Sequence, residues 1–255
     1  MKVTLMDMTL KEIQDSGPFE VAVLPWGACE PHNLHLPYGC DTFTVDSVAR
    51  ISAEKARKRK ASVVVLPTMP VGVNSNQIGF PLVLHCSPST QLSMIRDIVW
   101  SLEQHGVRKL VLMNGHGGNQ FKSAARELYG ATKVHIFVMD WWLSDVAFMK
   151  SVSDDPGGEH GNEIETSWML YLRPELVHLR WADDGTVKRP RLKALEEGWV
   201  SITRPWHILT TNAGHGNPRK ATPEKGQKMI EHATDRIADF LTDLSRSKID
   251  ATFPY

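Results

Sequence analysis

Four short apolar runs govern what this chain can fold into. VAVLPWG (21–27), SVVVLPT (62–68), KLVLMNG (109–115) and VHIFVMD (134–140) are each too short for a buried helix. Their β-branched content and Pro or Gly boundaries read as strands buried on both faces. Between them lie apolar residues at helical spacing, in TVDSVARISAEKARKRK (44–60), SPSTQLSMIRDIVWSLEQHG (87–106) and NQFKSAARELYG (119–130). The first ends in a basic turn and the second is stopped by Gly106, as helix carboxyl ends commonly are. Strands alternating with helices imply right-handed crossovers and a mostly parallel sheet covered on both sides, an α/β fold. Further helices are expected in EIETSWMLYL (163–172) and ATPEKGQKMIEHATDRIADFLTDLSR (221–246). In the latter, Thr222 suits the N-cap, Pro223 the first helical position and Glu224 the positive dipole end.

Composition narrows the function classes. Lys+Arg and Asp+Glu balance at 29 each, so no nucleic-acid partner is indicated. No apolar run approaches the roughly 20 residues that span a bilayer. The amino end, MKVTLMDMTLKEIQ, lacks a signal-peptide core and cleavage site. Three cysteines are too few for a disulfide framework. The expectation is a cytoplasmic protein without a membrane partner. No repeat or linker divides the 255 residues, so one domain over 1–255 is expected. A less regular excursion around 177–205 would suit a subunit contact.

In an open parallel sheet, ligands bind at the carboxyl ends of the strands. Three polar loops sit where such a site would form. GACEPHNLHLPYGCDT (27–42) gathers Glu30, His32, His35 and Asp41, with Cys29 and Cys40 beside them. Glu30 and His32 are two apart and point to one side in extended chain. Asp41 follows a Pro-Tyr-Gly turn and could fold back onto them. Such a carboxylate–imidazole set suits Zn²⁺, Mn²⁺ or Fe²⁺. NGHGGN (114–119) presents His116 among glycines; a plain turn or an anion cradle would also explain it. GGEHGNEIETS (157–167) supplies Glu159, His160, Glu163 and Glu165. Glu163 would sit in a helix's first turn, where a carboxylate is favoured in any case. His160 is a candidate mobile acid or base, since imidazole trades protons near neutrality. Trp141, Trp142 and Trp168 could wall a small pocket or simply pack a core.

Taken together, EPHNLHLPYGCD, NGHGGN, EHGNEIETS and GHGNPRKATPEKG (214–226) resemble the motifs of the creatininase (creatinine amidohydrolase) family, in family order. The resemblance implies a three-layer α/β/α fold, two divalent metal ions per chain and a homo-oligomer, often a hexamer. Zn²⁺ would come first, with Mn²⁺ or Fe²⁺ in its place. Carried over by motif position, Glu30, His32, Asp41 and His116 would bind metal, with Asp41 bridging, and Glu163 is favoured over Glu165 as the remaining ligand. His160 matches the family's proton shuttle, with Glu165 beside it in the catalytic set. His35 would stand behind the ligands or border the substrate pocket, with Trp141, Trp142, Gly117 and Gly118 beside the substrate. Creatininase itself carries a glutamate at the place of Gly118, which argues against creatinine as substrate. The sequence also departs from the family at Pro31, Asn33 and Asn162, none of which removes a ligand.

The implied activity is hydrolysis of a C–N bond in a small cyclic amide or formamide. Two close metals can bridge a water and lower its pKa from 15.7 toward about 7. His160 would protonate the departing nitrogen. Two alternatives stand beside this reading. One is a cysteine hydrolase using Cys29 or Cys40. The other is a metal-binding module that does no chemistry alone, or that clips a peptide during maturation.

Overall fold

The computed structural model describes residues 2–255. A four-stranded parallel sheet lies at its centre, in the order β2-β1-β3-β4. The strands are β1 (Val21–Trp26), β2 (Val63–Val65), β3 (Lys109–Asn114) and β4 (His135–Asp140). The helices are α1 (Leu10–Ser16), α2 (Cys40–Lys58), α3 (Pro88–Gln104), α4 (Phe121–Leu128), α5 (Val146–Val152), α6 (Glu163–Leu172), α7 (Lys193–Glu196), α8 (Trp206–Leu209) and α9 (Pro223–Arg246). All four expected strands are present. The expected helices appear as well, and Ser87 and Thr222 cap α3 and α9 through their side chains.

The sheet is buried on both faces, and residue parity along β1 divides the core. Val21 and Val23 join Val63, Val65, Val111 and Met113 beneath α2 and α9. Ala22 and Leu24 point the other way, into a cluster with Ile95 and Val99 of α3 and Phe121 of α4. The period-two alternation of a strand thus feeds two apolar layers. The layers read α2/α9, sheet, α3/α4, which is the expected α/β/α sandwich. Helix α6 packs against α9 and α2 at the carboxyl end of the strands.

Strand order places the site. β1 pairs with β2 on one side and β3 on the other. The chain leaves β1 toward α2 on one face, and leaves β3 toward α4 on the opposite face. The crevice between those two exits is the topological switch point, where open α/β sheets bind ligands.

One detail differs from the sequence reading. Helix α2 begins at Cys40, four residues before the expected start, so Asp41 lies in its first turn. There the helix dipole favours a carboxylate. The 177–205 stretch holds only short turns of helix, at Leu179–Trp181 and Lys193–Glu196. Among the described residues, no helix is long and apolar enough to cross a membrane.

Candidate metal centre

The switch-point crevice collects Glu30 and His32 from the loop after β1, Asp41 from α2 and His116 from the loop after β3. His160 and Glu165 come from the entrance to α6. His116 is aimed by its own loop: Asn114 Oδ1 accepts from His116 N and Asn119 Nδ2, both at 3.0 Å. Gly115 is required there, because a Cβ would lie 2.6 Å from Val45 Cβ on the passing α2. His160 is fixed from the other side by a backbone pairing with His215, which donates to the His160 carbonyl at 2.8 Å.

The two ligand-type histidines share one arrangement. His32 Nδ1 lies 3.2 Å from the Glu30 carbonyl oxygen, and His116 Nε2 lies 3.1 Å from that of Val73. Facing an acceptor, each of these nitrogens carries the ring's hydrogen. The opposite nitrogens are aimed at carboxylates. His32 Nε2 is 3.0 Å from Asp41 Oδ1 and 3.9 Å from Glu165 Oε2. His116 Nδ1 is 3.0 Å from Asp41 Oδ2 and 3.1 Å from Glu30 Oε1. Asp41 therefore offers one oxygen to each ring. Its Oδ2 is buried and makes no hydrogen bond among the described residues.

A bare imidazole lone pair cannot rest against carboxylate oxygens. Something positive must lie between them, either a second ring proton or a cation. Without ions, protons take that place. Burial opposes a charged His32, yet Asp41 beside it, with Glu165 and Glu30 beyond, pushes its pKa up to about 10. His116 is likewise raised well above the usual range against burial, by Glu30 and Asp41. Asp41 goes the other way: burial resists, but His32 and His116 hold its carboxyl far below the ordinary value. Burial pushes Glu165 up to about 7, with His32 opposing and Asp41 adding to the rise. Oxygen and nitrogen donors so arranged are a divalent-cation set. Ligand atoms of Glu30, Asp41 and His116 lie within 4.8 Å of one another, as do those of Glu30, His32 and His160.

His160 differs from both. Its Nε2 is 2.9 Å from the Pro31 carbonyl oxygen, and its Nδ1 has no protein partner among the described residues. Burial and the neighbouring His32 lower its pKa to about 4, so it is neutral at pH 7.

The structure does not bring Glu163 to the cluster, contrary to the expectation that it is preferred over Glu165. Two positions apart on α6, the carboxylates are turned by about 200° around the helix. Glu163 accepts from Ser153 Oγ at 2.9 Å, from the backbone N–H groups of Asp154 and Asp155 at 3.1 and 2.6 Å, and from Lys225 Nζ at 2.5 Å. Glu165 is the carboxylate that faces His32, held by the Gly161 N–H at 2.5 Å.

A cavity of about 430 Å³ opens onto the cluster, lined by Trp141, Trp142, Trp168, Trp206, Gly117 and Gly118 among others. His35 does not border it. That ring is buried against α6, with Nε2 2.7 Å from Thr166 Oγ1, so of its two expected places the one beside the substrate is corrected. Trp206 and Gln77 do border the cavity, and the sequence reading missed both. The ring of Trp206 stands edge-on to His160 at 4.7 Å. Gln77 lies in the segment between β2 and α3, whose length without regular structure was the available signal. Cys40 sits beside His32 and Asp41, but burial raises its thiol well above the usual range, and Cys29 is raised too. Neither suits a thiolate nucleophile.

The family model described as "Creatininase: Creatinine amidohydrolase" matches residues 6–241. The chain belongs to the creatininase family. Creatinine amidohydrolase of Pseudomonas putida is 29% identical over 245 residues, covering 88% of this chain and 89% of that protein. 3-Dehydro-scyllo-inosose hydrolase of Thermotoga maritima is 26% identical, covering 95% and 83%. A solved structure from Bacteroides fragilis superposes with a TM-score of 0.90 at 34% identity, over 98% of each chain. Creatininase structures described as Zn-Zn type and as Mn superpose at 0.78 and 0.79 with 27% identity, over 97% of this chain and 100% of theirs. The two named relatives are hydrolases of different compounds, so membership of the creatininase family leaves the substrate open. Within this creatininase-type site, Gly118 has a structural reason. A Cβ there would lie 2.3 Å from the Val73 carbonyl oxygen and 2.4 Å from His116 Nε2, so this backbone accepts no side chain at that place.

Proposed function

We propose that this protein is a binuclear metal-dependent amidohydrolase acting on a small cyclic amide or formamide-type substrate. Glu30, Asp41 and His116 would hold one ion, and His32, Asp41 and Glu165 the other. Zn²⁺ is the first choice, with Mn²⁺ or Fe²⁺ as substitutes. The observation that carries the reading is Asp41, which gives one oxygen to each of two rings already committed to backbone carbonyls.

Bound there, the ions would supply a Lewis acid for the substrate carbonyl and an acidified water. The chain's own residues do the rest. His160, neutral and with Nδ1 free, takes a proton during attack and returns it to the departing nitrogen. An amide nitrogen leaves poorly without that proton. Pro31 O holds the ring by Nε2, and Trp206 supports its edge. The tryptophan walls exclude water and suit a flat, small substrate. With Gly118 in place of the creatininase glutamate, a substrate other than creatinine is favoured.

The test is metal analysis of the purified protein, combined with turnover of a lactam and formamide panel before and after chelation. Two ions per chain, with activity lost on chelation and restored by Zn²⁺ or Mn²⁺, are expected. Turnover that persists without metal would reject the reading. Two bound ions with no C–N substrate turned over would favour the non-catalytic or maturation module.

A further inference from the structure

Gln77 stands beside the cluster with half of its amide uncommitted. It is buried, at 2% exposure, and borders the cavity. Its Nε2 donates to Glu30 Oε2 at 2.7 Å and lies 3.4 Å from His160 Nε2. The orientation is set by charge, because the reversed amide would turn its carbonyl oxygen onto the Glu30 carboxylate. Oε1 is thereby held away from Glu30, and it has no partner among the described residues.

The chain invests in this placement. Gln77 N donates to the Asn74 carbonyl at 3.0 Å, closing a turn. Asn74 pins that turn by donating from Nδ2 to the carbonyls of Cys29 at 3.3 Å and Leu84 at 2.9 Å. The next carbonyl, of Asn76, accepts from Trp206 N at 2.9 Å. A buried acceptor fixed this firmly and left unpaired is unfavourable unless a donor arrives. Gln77 has Glu30 and His160 as neighbours and borders the cavity that opens onto them.

We infer that Gln77 recognises the substrate, its Oε1 accepting a hydrogen bond from an N–H on the scissile amide. The site therefore takes lactams or formamides that keep that hydrogen and rejects their N-alkylated forms. The inference rests on the amidohydrolase reading for the class of substrate, but the acceptor's position stands independently of it.

The test is equilibrium binding to Zn²⁺-loaded protein, read by calorimetry, of 2-pyrrolidinone and N-methyl-2-pyrrolidinone. Wild-type protein should bind the N–H form about tenfold or more tightly over the methylated one. Gln77→Met keeps the length of the side chain without the acceptor, and should bring the two within about twofold. Gln77→Ser serves if methionine is not accommodated. The ratio of the two affinities is the readout, because a purely structural role of Gln77 would weaken both probes alike. Equal binding of both probes by wild type, binding of neither, or a preference that survives Gln77→Met overturns the inference. Turnover plays no part in this readout. A preserved preference in a protein that hydrolyses nothing would sink the amidohydrolase reading and leave the role of Gln77 standing.

Discussion

Glu163 and Glu165 occupy the same turn of the same helix and meet opposite surroundings. Glu163 is matched on all sides by a lysine, a serine and two backbone N–H groups. These hold its carboxyl below the ordinary range although burial works against that. Glu165 faces His32, with Asp41 and Glu30 near, and burial pushes it up to about 7. One glutamate is satisfied by the protein; the other is held among like charges that only protons or cations relieve. The difference separates a carboxylate that serves stability from one built for a ligand.

The comparison can be broken most severely at the centre of the cluster. Asp41→Ala should empty both ion positions and bring activity to background, measured by metal analysis with turnover. Retention of two ions per chain would refute the shared role of Asp41. His160→Ala should keep both ions and lower kcat by about 10²–10⁴-fold, the usual contribution of a positioned acid or base. Metal loss in that variant would make His160 a ligand.

The two glutamates themselves come next. Glu163→Gln breaks a pair in which Lys225 is 18% exposed and Glu163 1%, and should cost about 3 kcal/mol of stability with metal content unchanged. Glu165→Gln should lose one ion per chain and leave the metal-free protein no less stable. Denaturant melts with metal analysis distinguish the pair, and the reverse pattern would restore Glu163 as the ligand.

The smallest effect is a pH dependence of the metal-free protein. Glu165, raised in the folded state, binds its proton more tightly there than in the unfolded chain. It should lower stability as pH rises from about 4.3, the free glutamate value, toward about 7. Glu163, lowered in the folded state, adds stability above the free value that is lost as pH falls through its folded pKa. Subtracting a Glu165→Gln profile from wild type isolates the first slope. No difference between pH 5 and 7 would mean that Glu165 is not held among like charges.

Much of this was legible in the chain. Apolar runs of strand length between helical patterns dictate a parallel sheet, because only that arrangement buries both faces of each strand. Glu30, His32, Asp41, His116 and His160 were singled out by motif, and the fold brings them within one crevice. The choice between Glu163 and Glu165 was not legible. Sequence spacing gives a helix's periodicity but not its rotation about its own axis, which packing against α9 and the pairing with Lys225 decide here. The sequence left two places open for His35 for the same reason: two polar neighbours on one loop point apart once Thr166 captures one of them.

The sequence by itself determined the strand–helix alternation, the loops rich in ligand-type side chains and the glycines that let backbone pass close to them. Local chemistry is enough for each of these, since a β-branched run, a dipole-favoured carboxylate or a missing Cβ acts within a few residues. Tertiary structure alone decided that β1 and β3 lie side by side, which sets their loops across one switch point. It also decided that Gln77 reaches Glu30 across 47 positions, with its carbonyl oxygen left open. Contacts between distant segments depend on the packing of the whole core, and no local pattern in the chain records them.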